Sequence, residues 1–156
     1  MDDRSDEAVY AAYGVELVRF AAGLVGPDDA PDVVVEAFLR VGRSPAWTQA
    51  RDKRALWYRA VVFEARSLHR STARRQVRER RVATTVPPAA VDTWRDDRVS
   101  EALGVLSPQQ RAVVMLTYWA DLDPPGVGSL LGISAGAVKK QLARARRKLK
   151  GELGHG

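Results

Sequence analysis

Residues 123–149 read DPPGVGSLLGISAGAVKKQLARARRKL, a run punctuated as two helices around a tight turn. Asp123 supplies an N-cap oxygen, and Pro124 and Pro125 fit a first helical turn, where a missing N–H costs nothing. Val127, Leu130 and Leu131 are the apolar residues of that short helix; Gly132-Ile133 makes the turn, and Ser134 caps a second helix. On the second helix Val138, Leu142, Ala145 and Leu149 recur at i, i+4, i+7 and i+11, a stripe that must face a core. The other faces carry Lys139, Lys140, Arg144, Arg146, Arg147, Lys148 and Lys150. Short helix, glycine turn and longer helix have the form of a helix-turn-helix. In that geometry the start of the second helix meets base edges in a major groove while basic side chains anchor the backbone. Ser134, Ala135, Gly136 and Ala137 are small enough for the helix end to enter a groove, and its free amides favour a phosphate. Lys139 and Lys140 are expected nearest the bases, with Arg144 and Arg147 on phosphates.

Upstream, Ser107-Pro108-Gln109-Gln110 has the pattern of a capping box opening a helix that carries Ala112, Val113, Leu116 and Trp119. A further helix is expected near residues 95–105. Before it, residues 82–94 read VATTVPPAAVDTW, with a Pro-Pro pair and no helical period. They read as a linker reaching roughly 40 Å when extended. The N-terminal part gives three helices. The first runs from about Asp6 to Val25 and is broken at Gly26-Pro27. The second has Asp28 or Asp29 to cap it, carries Val33, Val34, Ala37, Phe38 and Val41, and spaces Glu36 to pair with Arg40. Gly42-Arg43-Ser44-Pro45 ends it. The third, from about Asp52 to Arg80, has Trp57, Val61, Ala65 and Leu68 on one stripe and Leu56, Ala60 and Phe63 beside it, then becomes almost purely basic. The expected fold is all-α: two small helical domains joined by a flexible linker. Residues 1–81 form the first domain, 82–94 the linker and 95–156 the second, with the helix-turn-helix in the second.

Charge is distributed in alternating blocks. Residues 1–42 hold nine acids and three bases, and residues 43–81 three acids and twelve bases. Residues 82–137 hold six acids and three bases, and residues 138–156 one acid and seven bases. Two basic footprints on one chain suggest two contacts with a polyanion. The absence of cysteine excludes disulfides, thiolate metal sites and a cysteine nucleophile. No run approaches the ~18 consecutive apolar residues of a membrane span, and the N-terminus MDDRSDEAVY is acidic where a secretory signal would be basic. A cytoplasmic chain without membrane insertion is expected. Gly126, Gly128 and Gly132 miss the dinucleotide-loop spacing by one, and no strand precedes them. Acids in a helix's first turns already have a dipole reason to be there, and the two histidines form no ligand cluster. No metal, cofactor, small-molecule substrate or enzymatic activity is expected.

The stretch from Leu106 to Leu149, above all LLGIS followed by VKKQLARARRKL, resembles the C-terminal domain of extracytoplasmic-function bacterial sigma factors. DAPDVVVEAFLRV, Asp29 to Val41, resembles that family's polymerase-gripping helix, and LWYRAVVFEARSLHR, Leu56 to Arg70, its promoter-melting helix. The matches follow the family's order and cover about residues 7–150. The resemblance implies that Asp32, Val33, Glu36, Leu39 and Arg40 contact core RNA polymerase. It implies that Trp57, Tyr58, Arg59, Val62, Phe63, Arg66 and Arg70 face the −10 element and its displaced strand, and that the last helix sits in the −35 major groove. Promoter DNA and core polymerase are the implied partners, and the family also admits an anti-sigma factor. Polymerase would do the chemistry.

Two positions depart from the family. Val35 stands where a glutamine is usual in the polymerase-binding helix. Phe63 stands where an asparagine often helps capture a flipped base; a phenylalanine cannot read a base edge but can act as a stacking wedge. The alternative is a free-standing or degenerate sigma-like helix-turn-helix regulator that does not initiate transcription. The Asp29–Arg40 helix discriminates, because a simple repressor has no need of it.

Overall fold

The computed structural model describes residues 6–79 and 103–154, with side chains described for 6–71 and 103–151. The linker at 82–94, Trp94 and most of the helix expected near 95–105 lie outside the described residues. The described residues form seven α-helices: α1 Asp6–Val25, α2 Ala30–Gly42, α3 Pro45–Gln49, α4 Lys53–Glu79, α5 Pro108–Tyr118, α6 Pro124–Leu131 and α7 Ala135–Gly154. The all-helical expectation holds.

Local chemistry explains most boundaries. Asp52 Oδ1 accepts from the Ala55 amide at 2.9 Å and starts α4. Ser107 and Gln110 form the reciprocal capping box of α5, each bond 3.2 Å. Asp123 accepts from Gly126 at 2.9 Å and Ser134 from Ala137 at 3.0 Å, starting α6 and α7. Gly132 ends α6 with φ +72°, the left-handed conformation that a glycine adopts without a Cβ penalty. Asp29 occupies the N-cap position of α2, but its side chain makes no capping bond. The short helix α3, capped by Ser44, was not expected from the sequence, where Gly42-Arg43-Ser44-Pro45 read only as the end of α2.

Helices α1, α2 and α4 pack on one another around Leu17, Phe20, Val34, Ala37, Trp57 and Val61, all fully buried. Trp57 donates from Nε1 to the Val34 carbonyl at 3.1 Å. Its ring lies 4.8 Å from Phe38 and 5.2 Å from Tyr10. By length and composition α1 is apolar enough to cross a membrane, but Leu17, Phe20, Ala21 and Leu24 belong to this core. In the C-terminal half, Val113, Leu116, Val127, Leu130, Val138 and Leu142 are buried, with Ala145 buried on the same face of α7. Trp119, expected on the helix that Ser107 opens, lies just past the end of α5 and is 45 % exposed.

The two halves share one continuous core. Helix α5 lies on α1 and α4, and α6 lies on α4.

Candidate nucleic-acid interface

The capped turn between α6 and α7 fixes how α7 is presented. Val138, Leu142 and Ala145 point into the core, so the 3.6-residue period turns Gly136, Lys139, Lys140, Ala143, Arg144 and Arg147 outward. All six are exposed, while Ala135 and Ala137 are half-buried at the helix start and Ser134 is exposed. The expected −35 residues therefore lie together on one small-then-basic face. Two further basic residues of α7 are tethered. Arg146 donates to the Tyr118 hydroxyl from Nε (2.9 Å) and Nη2 (2.6 Å), and Lys148 donates to Gln110 Oε1 at 3.0 Å.

Helix α4 sorts the residues expected at the −10 element into two groups. Arg59, Phe63, Arg66 and Arg70 are exposed at i, i+4, i+7 and i+11, one stripe along the helix. Trp57, Tyr58 and Val62 are buried at 0 %, 1 % and 7 % exposure, which corrects the expectation that they face DNA. The reason is packing from several sides: α1, α2 and α6 all cover α4, so its apolar face is wider than one stripe. Tyr58 lies against Phe20, ring centres 4.8 Å apart, and its hydroxyl donates to Glu16 Oε2 at 2.6 Å. Arg54 grips the same carboxylate with two bonds of 3.1 and 2.9 Å. Burial works against the Glu16 charge, but the hydrogen bonds from Arg54 and Tyr58 and the Arg54 charge hold its carboxyl below the ordinary value. Burial, and then the bond to Glu16, push the Tyr58 hydroxyl far above its usual range. This trio ties α1 to α4.

On α2, Asp32, Val35, Glu36 and Leu39 are exposed at i, i+3, i+4 and i+7, a single face. Val33, expected to contact polymerase, is a core residue at 6 % exposure. Arg40 does not take Glu36 as its partner. It bonds Glu64 of α4 across the helix pair, and its guanidinium sits 4.6 Å over the Phe63 ring. Phe63 is 46 % exposed, so Arg40 joins the α2 face to the α4 stripe through it. Val35, noted in the sequence as a departure within the polymerase-binding helix, joins the exposed α2 face, while Tyr118 as the anchor of Arg146 was missed. The exposure of Val35 follows from the same spacing that places Asp32 and Leu39, whereas Tyr118 carries no local signal.

An RNA polymerase sigma-E factor of Streptomyces avermitilis is 34% identical over 146 residues, spanning 88% of this chain and 78% of that protein. The chain belongs to the extracytoplasmic-function class of RNA polymerase sigma factors. In this sigma factor, residues 96–149 match the sigma-70 region 4 family and so take in all of α5, α6 and most of α7. The ECF RNA polymerase sigma factor SigL of Mycobacterium tuberculosis is 28% identical over 151 residues, 92% of this chain and 85% of that one. Among solved structures, CnrH in complex with the cytosolic domain of CnrY superposes with a TM-score of 0.61 at 27% identity. That match covers 96% of this sigma factor and 88% of CnrH.

Proposed function

We propose that this sigma factor grips core RNA polymerase with the α2 face of Asp32, Val35, Glu36 and Leu39 and reads promoter DNA with two separate surfaces. The α7 face from Ser134 to Arg147 enters the −35 major groove, with Lys139 and Lys140 nearest base edges and Arg144 and Arg147 on phosphates. The α4 stripe of Arg59, Phe63, Arg66 and Arg70 receives the −10 strand. A cationic track with one exposed ring suits unpaired DNA, which is held by backbone charge and base stacking. The observation that carries the reading is the coexistence of the exposed α2 face and the α7 basic face on one chain. The regulator alternative is not favoured, since the similarity to sigma factors extends through the N-terminal half.

In this reading the sigma factor acts in the cytoplasm, where polymerase and chromosome are, and bond-making belongs to polymerase. Because CnrH was solved with the cytosolic domain of CnrY, an inhibitory protein partner is part of the proposal.

The test is core-polymerase binding by wild type and Leu39→Arg. Leu39 is 46 % exposed, so the substitution should leave the fold intact. The expected result is tight wild-type binding, weakened at least about tenfold by a charge buried unpaired in the interface. A folded wild-type chain that does not bind core polymerase overturns the proposal.

A further inference from the structure

Arg146 of α7 is held in place although it is exposed. It donates from both Nε and Nη2 to one oxygen, the Tyr118 hydroxyl at the C-terminal end of α5, at 2.9 and 2.6 Å. The guanidinium carbon lies 5.9 Å from the centre of the Tyr118 ring. Tyr118 itself is 59 % exposed. A polar contact in water adds little stability, because solvent competes for both partners. Among the described residues no carboxylate pairs with Arg146, so its charge is fixed in position but not neutralised.

The way it is held leaves a binding edge open. A guanidinium carries five N–H donors in a fixed planar fork. The Nε hydrogen and one Nη2 hydrogen converge on the single hydroxyl oxygen. Both Nη1 hydrogens and the outer Nη2 hydrogen remain, and this end-on edge matches two oxygens of one phosphate. The helix period sets where the edge is presented. Lys139, Ala143, Arg146 and Lys150 are exposed at i, i+4, i+7 and i+11, one line along the flank of the α7 face. Arg146 lies seven residues beyond Lys139, about 10 Å along the axis. Ala143 between them carries only a methyl group, so no long side chain stands between the two cations on that flank.

We propose that Tyr118 and Arg146 form a backbone-phosphate site on the −35 duplex, additional to Arg144 and Arg147. Arg146 takes the phosphate on its Nη1–Nη2 edge. Tyr118 is the positioning residue: from α5, outside the helix-turn-helix, it fixes the fork before DNA arrives. A side chain ordered in advance loses no rotamer freedom on binding, and that is what an exposed hydroxyl anchor supplies. A phosphate contact carries no base information, so the site adds affinity equally on every sequence. The inference rests on the reading of α7 as the −35 helix.

The test uses holoenzyme assembled from the chain and core polymerase, on a promoter fragment whose −35 phosphates are replaced one at a time by uncharged methylphosphonates. The expected result is that one position sensitive in wild type, weakening binding about tenfold near 0.1 M salt, becomes insensitive in Arg146→Ala. On unmodified DNA Arg146→Ala should bind about tenfold more weakly, with a salt-dependence slope lower by about one. Tyr118→Phe keeps the ring and removes the anchor. It should weaken binding about threefold and reduce the penalty at that same position, with an unchanged urea midpoint. A purely structural role for the pair would lower the urea midpoint and leave the phosphate scan as it is in wild type. Coinciding scans for wild type and Arg146→Ala overturn the inference, as does a Tyr118→Phe protein that binds promoter like wild type. Variants that lose core-polymerase affinity instead, with the scan unchanged, also overturn it and make the pair a protein contact. Wild-type holoenzyme that binds promoter and scrambled −35 fragments alike overturns the α7 reading itself, a failure seen before any variant is compared.

Discussion

Alanine at Trp57 and at Phe63 should produce opposite phenotypes, although the two aromatics lie less than two turns apart on one helix. Trp57 is 0 % exposed, bonds the Val34 carbonyl and touches Phe38 and Tyr10. A buried tryptophan removes roughly 200 Å² from water, worth about 5 kcal/mol at ~25 cal/mol per Å². Measured tryptophan truncations in cores cost about 3–5 kcal/mol. A domain of ordinary stability has only ~5–15 kcal/mol to lose, so Trp57→Ala should lower the urea midpoint severely, with a fall in Tm of roughly 6–20 °C. Phe63 keeps 46 % of its surface in water and its specific partner is the Arg40 guanidinium. An exposed cation–π contact is worth about 0.5–1 kcal/mol, so Phe63→Ala should cost no more than about 1–2 kcal/mol once the half-buried ring is included. Its effect should instead appear in promoter opening, followed by permanganate reactivity of unpaired thymines at the −10 element with core polymerase present. The assay pair is urea denaturation and opening on the same preparations. A stable Trp57→Ala protein, or a folded Phe63→Ala protein that opens promoters as wild type does, refutes the division of α4 into core and stripe.

Three further expectations follow from other contacts. The Glu16 carboxyl is held below its ordinary value in the fold, so its contribution is present above the unfolded value, near 4.5, and is lost as pH falls through the lower folded one. Wild type should therefore lose more stability than Glu16→Gln between about pH 5 and pH 3, and parallel urea midpoints over that range would contradict it. Ser107→Ala removes one half of a reciprocal capping box and should cost about 1 kcal/mol by the same denaturation measurement. In −35 duplex binding, Arg147→Ala should weaken all sequences alike and lower the salt-dependence slope by about one, while Lys139→Ala should cost about 1–3 kcal/mol mainly on the preferred site.

The sequence was most informative where the physics is local. Ser107, Asp123 and Ser134 cap the helices they were expected to start, because a cap depends on residues no more than three apart. The Val138–Leu142–Ala145 stripe faces the core because α7 is covered on one side only, so a single periodicity describes it. Helix α4 is different. Covered by α1, α2, α5 and α6, it buries Trp57, Tyr58 and Val62 and leaves Phe63 out, a division set by partners distant in sequence. Arg40 likewise prefers Glu64 across a helix pair to Glu36 on its own helix. The α3 helix was readable in principle, since Ser44-Pro45 is a cap followed by an N1 proline, but five residues give no periodicity to support it. The contacts between halves, Arg59 to Ser129 and Arg111 to Leu24, span 70 and 87 residues and have no local signature at all.

Promoter-directed initiation is the central claim, and reconstituted transcription tests it most directly. Purified chain and sigma-free core polymerase are incubated with genomic fragments of the source organism, and transcript 5′ ends are mapped. The account predicts discrete start sites that depend on the chain and share two upstream motifs, one read by α7 and one by the α4 stripe. Starts that are absent, or identical with core polymerase alone, would contradict it.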